Sequence, residues 1–141
     1  MTILKHSLII QVIGAEETLA IRQCVLWPDK SIDFCRISDD EEGEHFGVFM
    51  GSSLVSVASV FYDGRSARLR KFATLPEYQG QGIGSLLLTS IIERLNRQTL
   101  TYFWCDARES AMTFYEKFGM TSQGERFYKG DIPYCKMSLT F

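Results

Sequence analysis

The residues with the clearest chemical potential are Gln79-Gly80-Gln81-Gly82-Ile83-Gly84-Ser85, three alternate glycines just ahead of an amphipathic helical pattern. A helix start exposes unpaired N–H groups and the positive end of the helix dipole. Glycines there remove the Cβ atoms that would hold a phosphate away from the backbone, so the turn suits a diphosphate. The bland alternative is a flexible strand-to-helix connection. A P-loop would need Gly-Lys followed by Ser or Thr, and no lysine follows these glycines. A dinucleotide fingerprint, G-x-G-x-x-G, is met by Gly80 and Gly82 but has Ser85 in its third place, with Asp106 as the only candidate for the ribose-binding acid. That fold also needs two strand-helix-strand halves, and this sequence offers one.

The elements that must hold this turn follow from periodicity. Residues 8–13 read as a strand stopped by Gly14, and residues 16–26 as a helix ending at Trp27-Pro28. The run 39–44, Asp-Asp-Glu-Glu-Gly-Glu, reads as a solvated acidic loop. Strands are expected at 45–50, 54–61 and 67–74, the last two joined by the hairpin signal Asp63-Gly64. Ile83, Leu87, Leu88, Ile91, Ile92 and Leu95 then recur at helical spacing. A strand at 100–105, a short helix at 110–118 capped by Gly119, and strands at 125–128 and 134–139 complete the order. This predicts one mixed α/β domain over residues 1–141, with a mostly antiparallel sheet of about seven strands and helices on its faces.

With 141 residues, 45% of them apolar and 23% charged, the chain has the balance of an ordinary globular domain. Its net charge of −2 gives no general attraction to nucleic acid. The charge is uneven, however. Residues 1–65 sum to −5 and residues 66–141 to +3, which favours the second half as host for an anionic ligand. Cys24, Cys35, Cys105 and Cys135 stand far apart, with only His6 and His45 to assist them, so no metal site is expected. Scattered thiols of this kind fit buried residues in a reducing, cytoplasmic setting. Lys5 ahead of the apolar stretch 7–15 faintly resembles a secretory leader. The stretch is short, broken by Gln11 and rich in β-branched residues, so it is expected to be a strand. No segment nears the roughly 20 apolar residues that span a bilayer.

The sequence resembles the GNAT superfamily of acyl-CoA-dependent N-acetyltransferases. That family's pyrophosphate loop, R/Q-x-x-G-x-G/A, is matched by Gln79, Gly82 and Gly84. Its second signature resembles A-x-x-F-Y-E-K-x-G-F, met here by Ala111, Phe114, Tyr115, Glu116, Lys117 and Gly119, with Met120 in place of the last Phe. Together with the element order, the two motifs cover nearly the whole chain. Arg108 stands where the family often has Asn, and Gln81 where a basic residue is common.

The resemblance implies a sheet splayed between its fourth and fifth strands, with acetyl-CoA in the gap. Its pantetheine would bond backbone groups of Phe72, Ala73 and Thr74 as though it were an added strand, and an N–H near Phe72 would face the oxyanion. Its diphosphate would meet the turn from Gln79 through Gly80, Gln81, Gly82, Ile83 and Gly84 to Ser85. Ala111 leaves room beneath Tyr115, one helical turn on. Tyr115 is the catalytic candidate: a phenol of pKa about 10 donates a hydrogen bond or a proton to a thiolate whose thiol has a pKa of about 8.5. Tyr115 also reads as a half-buried aromatic on an amphipathic helix.

A primary amine would attack directly in a ternary complex, since Cys105 has no evident histidine partner to make it a nucleophile. Trp27 and His45 are candidates for the acceptor pocket, each with a structural alternative, and no general base stands out. The acidic first half suggests a cationic acceptor such as a polyamine, an aminoglycoside, an amino-sugar or a lysine side chain. The acceptor stays open between small molecule and protein, and the last two strands allow a homodimer. The alternative function is a non-catalytic acyl-CoA sensor or interaction module.

Overall fold

The computed structural model describes residues 7–141, so His6 lies outside the described residues. Strands β1 (Leu8–Ile13), β2 (Glu44–Met50), β3 (Ser53–Asp63) and β4 (Ser66–Thr74) form an antiparallel meander. β5 (Tyr102–Arg108), β6 (Thr121–Lys129) and β7 (Ile132–Thr140) extend it into one seven-stranded sheet, ordered β1-β2-β3-β4-β5-β7-β6. Only β4 and β5 run parallel.

Helices cover both faces, which is why the centre of β3 is buried without alternation. α1 (Leu19–Leu26) closes one face, where Ile21 meets Ile13, Val57 and Ala73. α2 (Ile83–Asn96) lies on the other, its stripe of Ile83, Leu87, Leu88, Ile91 and Leu95 packed with Val60, Leu69 and Phe103. None of those five helix side chains is more than 1% exposed, and each such burial stabilises by roughly 1.5–3 kcal/mol. α3 (Met112–Glu116) follows a single 3-10 turn, Glu109–Ala111, and packs over β6 and β7. α3 is therefore shorter than the 110–118 expected. β5 starts two residues later than expected and runs to Arg108, while β6 starts four residues earlier, bending at Gly124 (φ +74°) where its register shifts.

The acidic run is only partly solvated, which corrects the sequence reading. Asp40 is buried and receives two hydrogen bonds from the fully buried Arg22 guanidinium, Nη1 to Oδ2 at 2.8 Å and Nη2 to Oδ1 at 2.9 Å. Arg22 also donates to the Cys35 carbonyl and to Ser59 Oγ. Glu44 accepts from Arg94 of α2 at 2.6 Å and from the Tyr62 hydroxyl at 2.6 Å. The cations come from α1 and α2, far away in sequence, so a linear run of acids cannot announce them.

β4 and β5 pair over three residues only, Ser66–Arg68 against Tyr102–Trp104, and then diverge. The gap that opens beyond them is the splay expected between the fourth and fifth strands.

Candidate active site

β4 departs from regular geometry inside that gap. Lys71 has φ +54°, in the left-handed region that residues with side chains rarely adopt. Val57 faces Ala73 and Ser59 faces Arg70, so β4 holds one more residue than β3 between those pairs, which makes a bulge. The bulge turns Lys71 toward α1, where its ammonium stands 4.6 Å from the centre of the Trp27 ring. Phe72 is left on the opposite side, its ring 6.0 Å from that of Phe114.

α2 begins beside Phe72. Gly82 caps the helix with φ +84°, a conformation a Cβ would strain. The first intrahelical hydrogen bond runs from Leu86 N–H to the Gly82 carbonyl, so the N–H groups of Ile83, Gly84 and Ser85 have no acceptor within the helix. A Cβ on Gly84 would stand 3.3 Å from Phe72 Cζ, so glycine there lets helix and strand approach closely. Gln79 Nε2 donates to the Thr74 carbonyl at 2.8 Å and Gln81 Nε2 to the Glu77 carbonyl at 3.1 Å. Both amides therefore fasten the loop to itself.

A cleft of about 630 Å³ runs from this helix mouth along β4 to α3. Phe72, Ala73, Thr74, Gln79 and Gly80 line it, followed by Gly82 through Ser85 and then Ala111 and Tyr115. Of the residues assigned from sequence to acetyl-CoA, only Gln81 is not among its lining. Lys117 adds a cation to the wall.

On the α1 side of the splay lies a second cavity of about 290 Å³. The two share Phe72, Ala111 and Tyr115, so they meet at those three residues. Trp27 lines the second cavity, and the sequence-predicted His45 lines neither. His45 is 4% exposed, with Nε2 donating to the Asp40 carbonyl at 2.8 Å and Nδ1 2.7 Å from Ser59 Oγ. Its two ring nitrogens serve the Arg22–Asp40 network.

Tyr115 is nine-tenths buried at the junction. Burial, and then the neighbouring Cys105, raise its pKa well above the phenol range. The Cys105 thiol is itself pushed up to about 12, chiefly by burial and then by the Asp106 charge. Such a thiol carries almost no thiolate at neutral pH.

Sequence reasoning missed Lys71. Burial, followed by the charges of Arg70, Lys129, Arg22 and Arg68, lowers its pKa to about 8. Strict strand alternation would send Lys71 to the face opposite Arg70, and nothing in the local sequence announces the bulge that prevents it.

A family profile described as an acetyltransferase (GNAT) domain matches residues 33–141. The Bacillus subtilis protein named Uncharacterized N-acetyltransferase YitI is 35% identical over 133 residues, covering 88% of this chain and 87% of its own length. The ribosomal-protein-S18-alanine N-acetyltransferase of Escherichia coli has a TM-score of 0.81 at 22% identity, over 94% of this chain and 93% of that one. A GNAT family acetyltransferase from Elizabethkingia anophelis, solved with acetyl-CoA bound, has a TM-score of 0.77 at 13% identity, over 97% and 100%. At such identities the two structures speak for the fold.

Proposed function

Because the chain belongs to the GNAT superfamily of acyl-CoA-dependent N-acetyltransferases, we propose that it moves the acetyl group of acetyl-CoA to a primary amine by direct attack in a ternary complex. The observation that carries this reading is the meeting of two cavities at Phe72, Ala111 and Tyr115, one of them opening at the free N–H groups of α2. A binding-only sensor would need the cleft alone, so the formed second cavity favours the enzyme.

The residues present fit the co-substrate. Ile83, Gly84 and Ser85 offer their N–H groups to its diphosphate, with the helix dipole behind them. Phe72, Ala73 and Thr74 offer backbone groups along the splay, where β5 has withdrawn. When bound, acetyl-CoA supplies an activated thioester carbonyl. The backbone N–H near Phe72 then stabilises the negative charge that grows on the carbonyl oxygen. The amine nitrogen would bond to that carbon as the carbon–sulfur bond breaks, its proton passing to solvent and the sulfur leaving as a thiolate. Tyr115, whose pKa burial holds well above the phenol range, would stay protonated and donate a hydrogen bond to the departing sulfur. The high thiol pKa of Cys105 supports direct attack over an acyl-cysteine intermediate. The four free thiols support a reducing, cytoplasmic setting. No helix among the described residues is long and apolar enough to cross a membrane.

Thermal unfolding with acetyl-CoA, NAD and ATP tests the binding half. Acetyl-CoA at 100 times its dissociation constant is expected to add about 2.7 kcal/mol of stability, with no such gain from the other two. Steady release of CoA thiol with an amine panel tests the transfer half. Stabilisation without release from any amine would favour the sensor instead.

A further inference from the structure

The second cavity carries a charge pattern opposite to that suggested by the acidic first half of the chain. Its wall includes five basic side chains, Arg68, Arg70, Lys71, Arg108 and Lys129, against the single carboxylate of Asp106. Arg68 and Lys129 already share that carboxylate, at 2.9 and 3.5 Å, and Arg68 also stacks over Trp104. Arg70 reaches Asp39 only at 3.4 Å. Lys71 and Arg108 have no carboxylate partner among the described residues. Of the acidic run, Asp39 meets only Arg70, at 3.4 Å. The run's Asp40 is held by Arg22 and its Glu44 by Arg94, away from this wall. The bulge at Lys71 is what sets two cations side by side on one face of β4.

From this wall we infer that the acceptor is a small amine bearing an oxyanion group, a carboxylate or a phosphate, and not a polyamine or other multiply cationic amine. The inference rests on the acetyl-transfer reading and names the substrate class of the same site. Guanidinium groups pair with either oxyanion in bidentate fashion, while an ammonium such as that of Lys71 adds a compact point charge. A second positive charge on the acceptor would instead meet Lys71, Arg70 and Lys129 in a partly desolvated space. The cavity of about 290 Å³ suits a molecule of amino-acid or sugar-phosphate size. Burial, and after it the charges of Arg70, Lys129, Arg22 and Arg68, lower the Lys71 pKa, and a bound anion would offset the charge part.

The test uses matched amines that differ in the anionic group, phenylalanine against phenethylamine and glucosamine 6-phosphate against glucosamine, with spermidine as the polycation. Each is titrated calorimetrically into the full chain saturated with CoA, so no turnover is needed. At least one anion-bearing member is expected to bind about tenfold or more tightly than its twin without the anion, the equivalent of one 1.4 kcal/mol increment. Which pair responds distinguishes carboxylate from phosphate. Added salt should shrink the gap, and so should Lys129→Gln or Arg108→Gln, each at a part-exposed or exposed position that folding tolerates. Equal or tighter binding by both twins without the anion or by spermidine overturns the inference, as does failure of every anion-bearing member to bind at millimolar concentration. CoA-thiol release is read separately. An anionic preference in binding without release sinks the transferase reading and leaves the site assignment standing. Release with the amines that lack the anion, at no disadvantage, does the reverse.

Discussion

At the residue scale, Tyr115 and Lys71 show how position converts ordinary side chains into specialised ones. Tyr115 was legible from the sequence because its motif fixes it one helical turn after a small alanine. In the proposed mechanism its hydroxyl meets the reaction only at the sulfur, so Tyr115→Phe should lower kcat by about 10²-fold or more while the acetyl-CoA Kd stays within error. An unchanged kcat would remove the phenol from the mechanism. Lys71 was not legible, since its role depends on a backbone conformation that lysine does not advertise. Its folded pKa of about 8 lies below the ordinary 10.5, so within that pH window the folded protein has released a proton that the unfolded chain still binds. Stability should therefore rise with pH across the window, and the gain should disappear as pH falls toward 8. Urea midpoints measured between those limits should climb more steeply for the native protein than for Lys71→Met. Parallel slopes would contradict the assignment.

Elements divide the same way. The stripe of α2 and the glycine turn ahead of it repeat at fixed intervals, and both survive into the fold with shifts of a residue or two. The splay came from family resemblance, since strand periodicity says nothing about where two strands part. The bulge came from neither. It is a mismatch of register between β3 and β4, a property of two strands that a single run of residues does not encode. Gly82 tests the turn as an element. No atom lies within 4 Å of a Cβ built there, so alanine meets no obstacle except its own backbone at φ +84°. Gly82→Ala should lower stability by roughly 1–2 kcal/mol, read as a reduced urea midpoint at unchanged m-value. It should also weaken acetyl-CoA binding, because the helix mouth must shift to relieve the strain. Loss of stability with undiminished binding would separate the cap from the diphosphate site.

Across the whole molecule, the Arg22–Asp40 pair ties α1 and the acidic loop to β3 through Ser59 and to β2 through His45. Burial raises the Asp40 pKa, but hydrogen bonds from Arg22 and the Ile37 N–H, with the Arg22 charge, outweigh it and leave a net lowering. The stability this adds is present above the ordinary carboxylate range and lost as acid protonates Asp40. Asp40→Asn strands a buried guanidinium and should lower stability at neutral pH by about 3–5 kcal/mol, with the difference from the native protein narrowing as pH falls. A loss below 1 kcal/mol would mean that solvent rescues Arg22. The three residue pairs that join β4 to β5 have a reach beyond the site itself. They make the sheet a book whose two leaves share a short spine, with main-chain groups along 71–74 and 105–108 turned toward the opening between the pages. In deuterated water those inner margins should trade their amide hydrogens early in the free protein and slow sharply once acetyl-CoA is added. An isotope map of the free chain would then trace the outline of its own ligand.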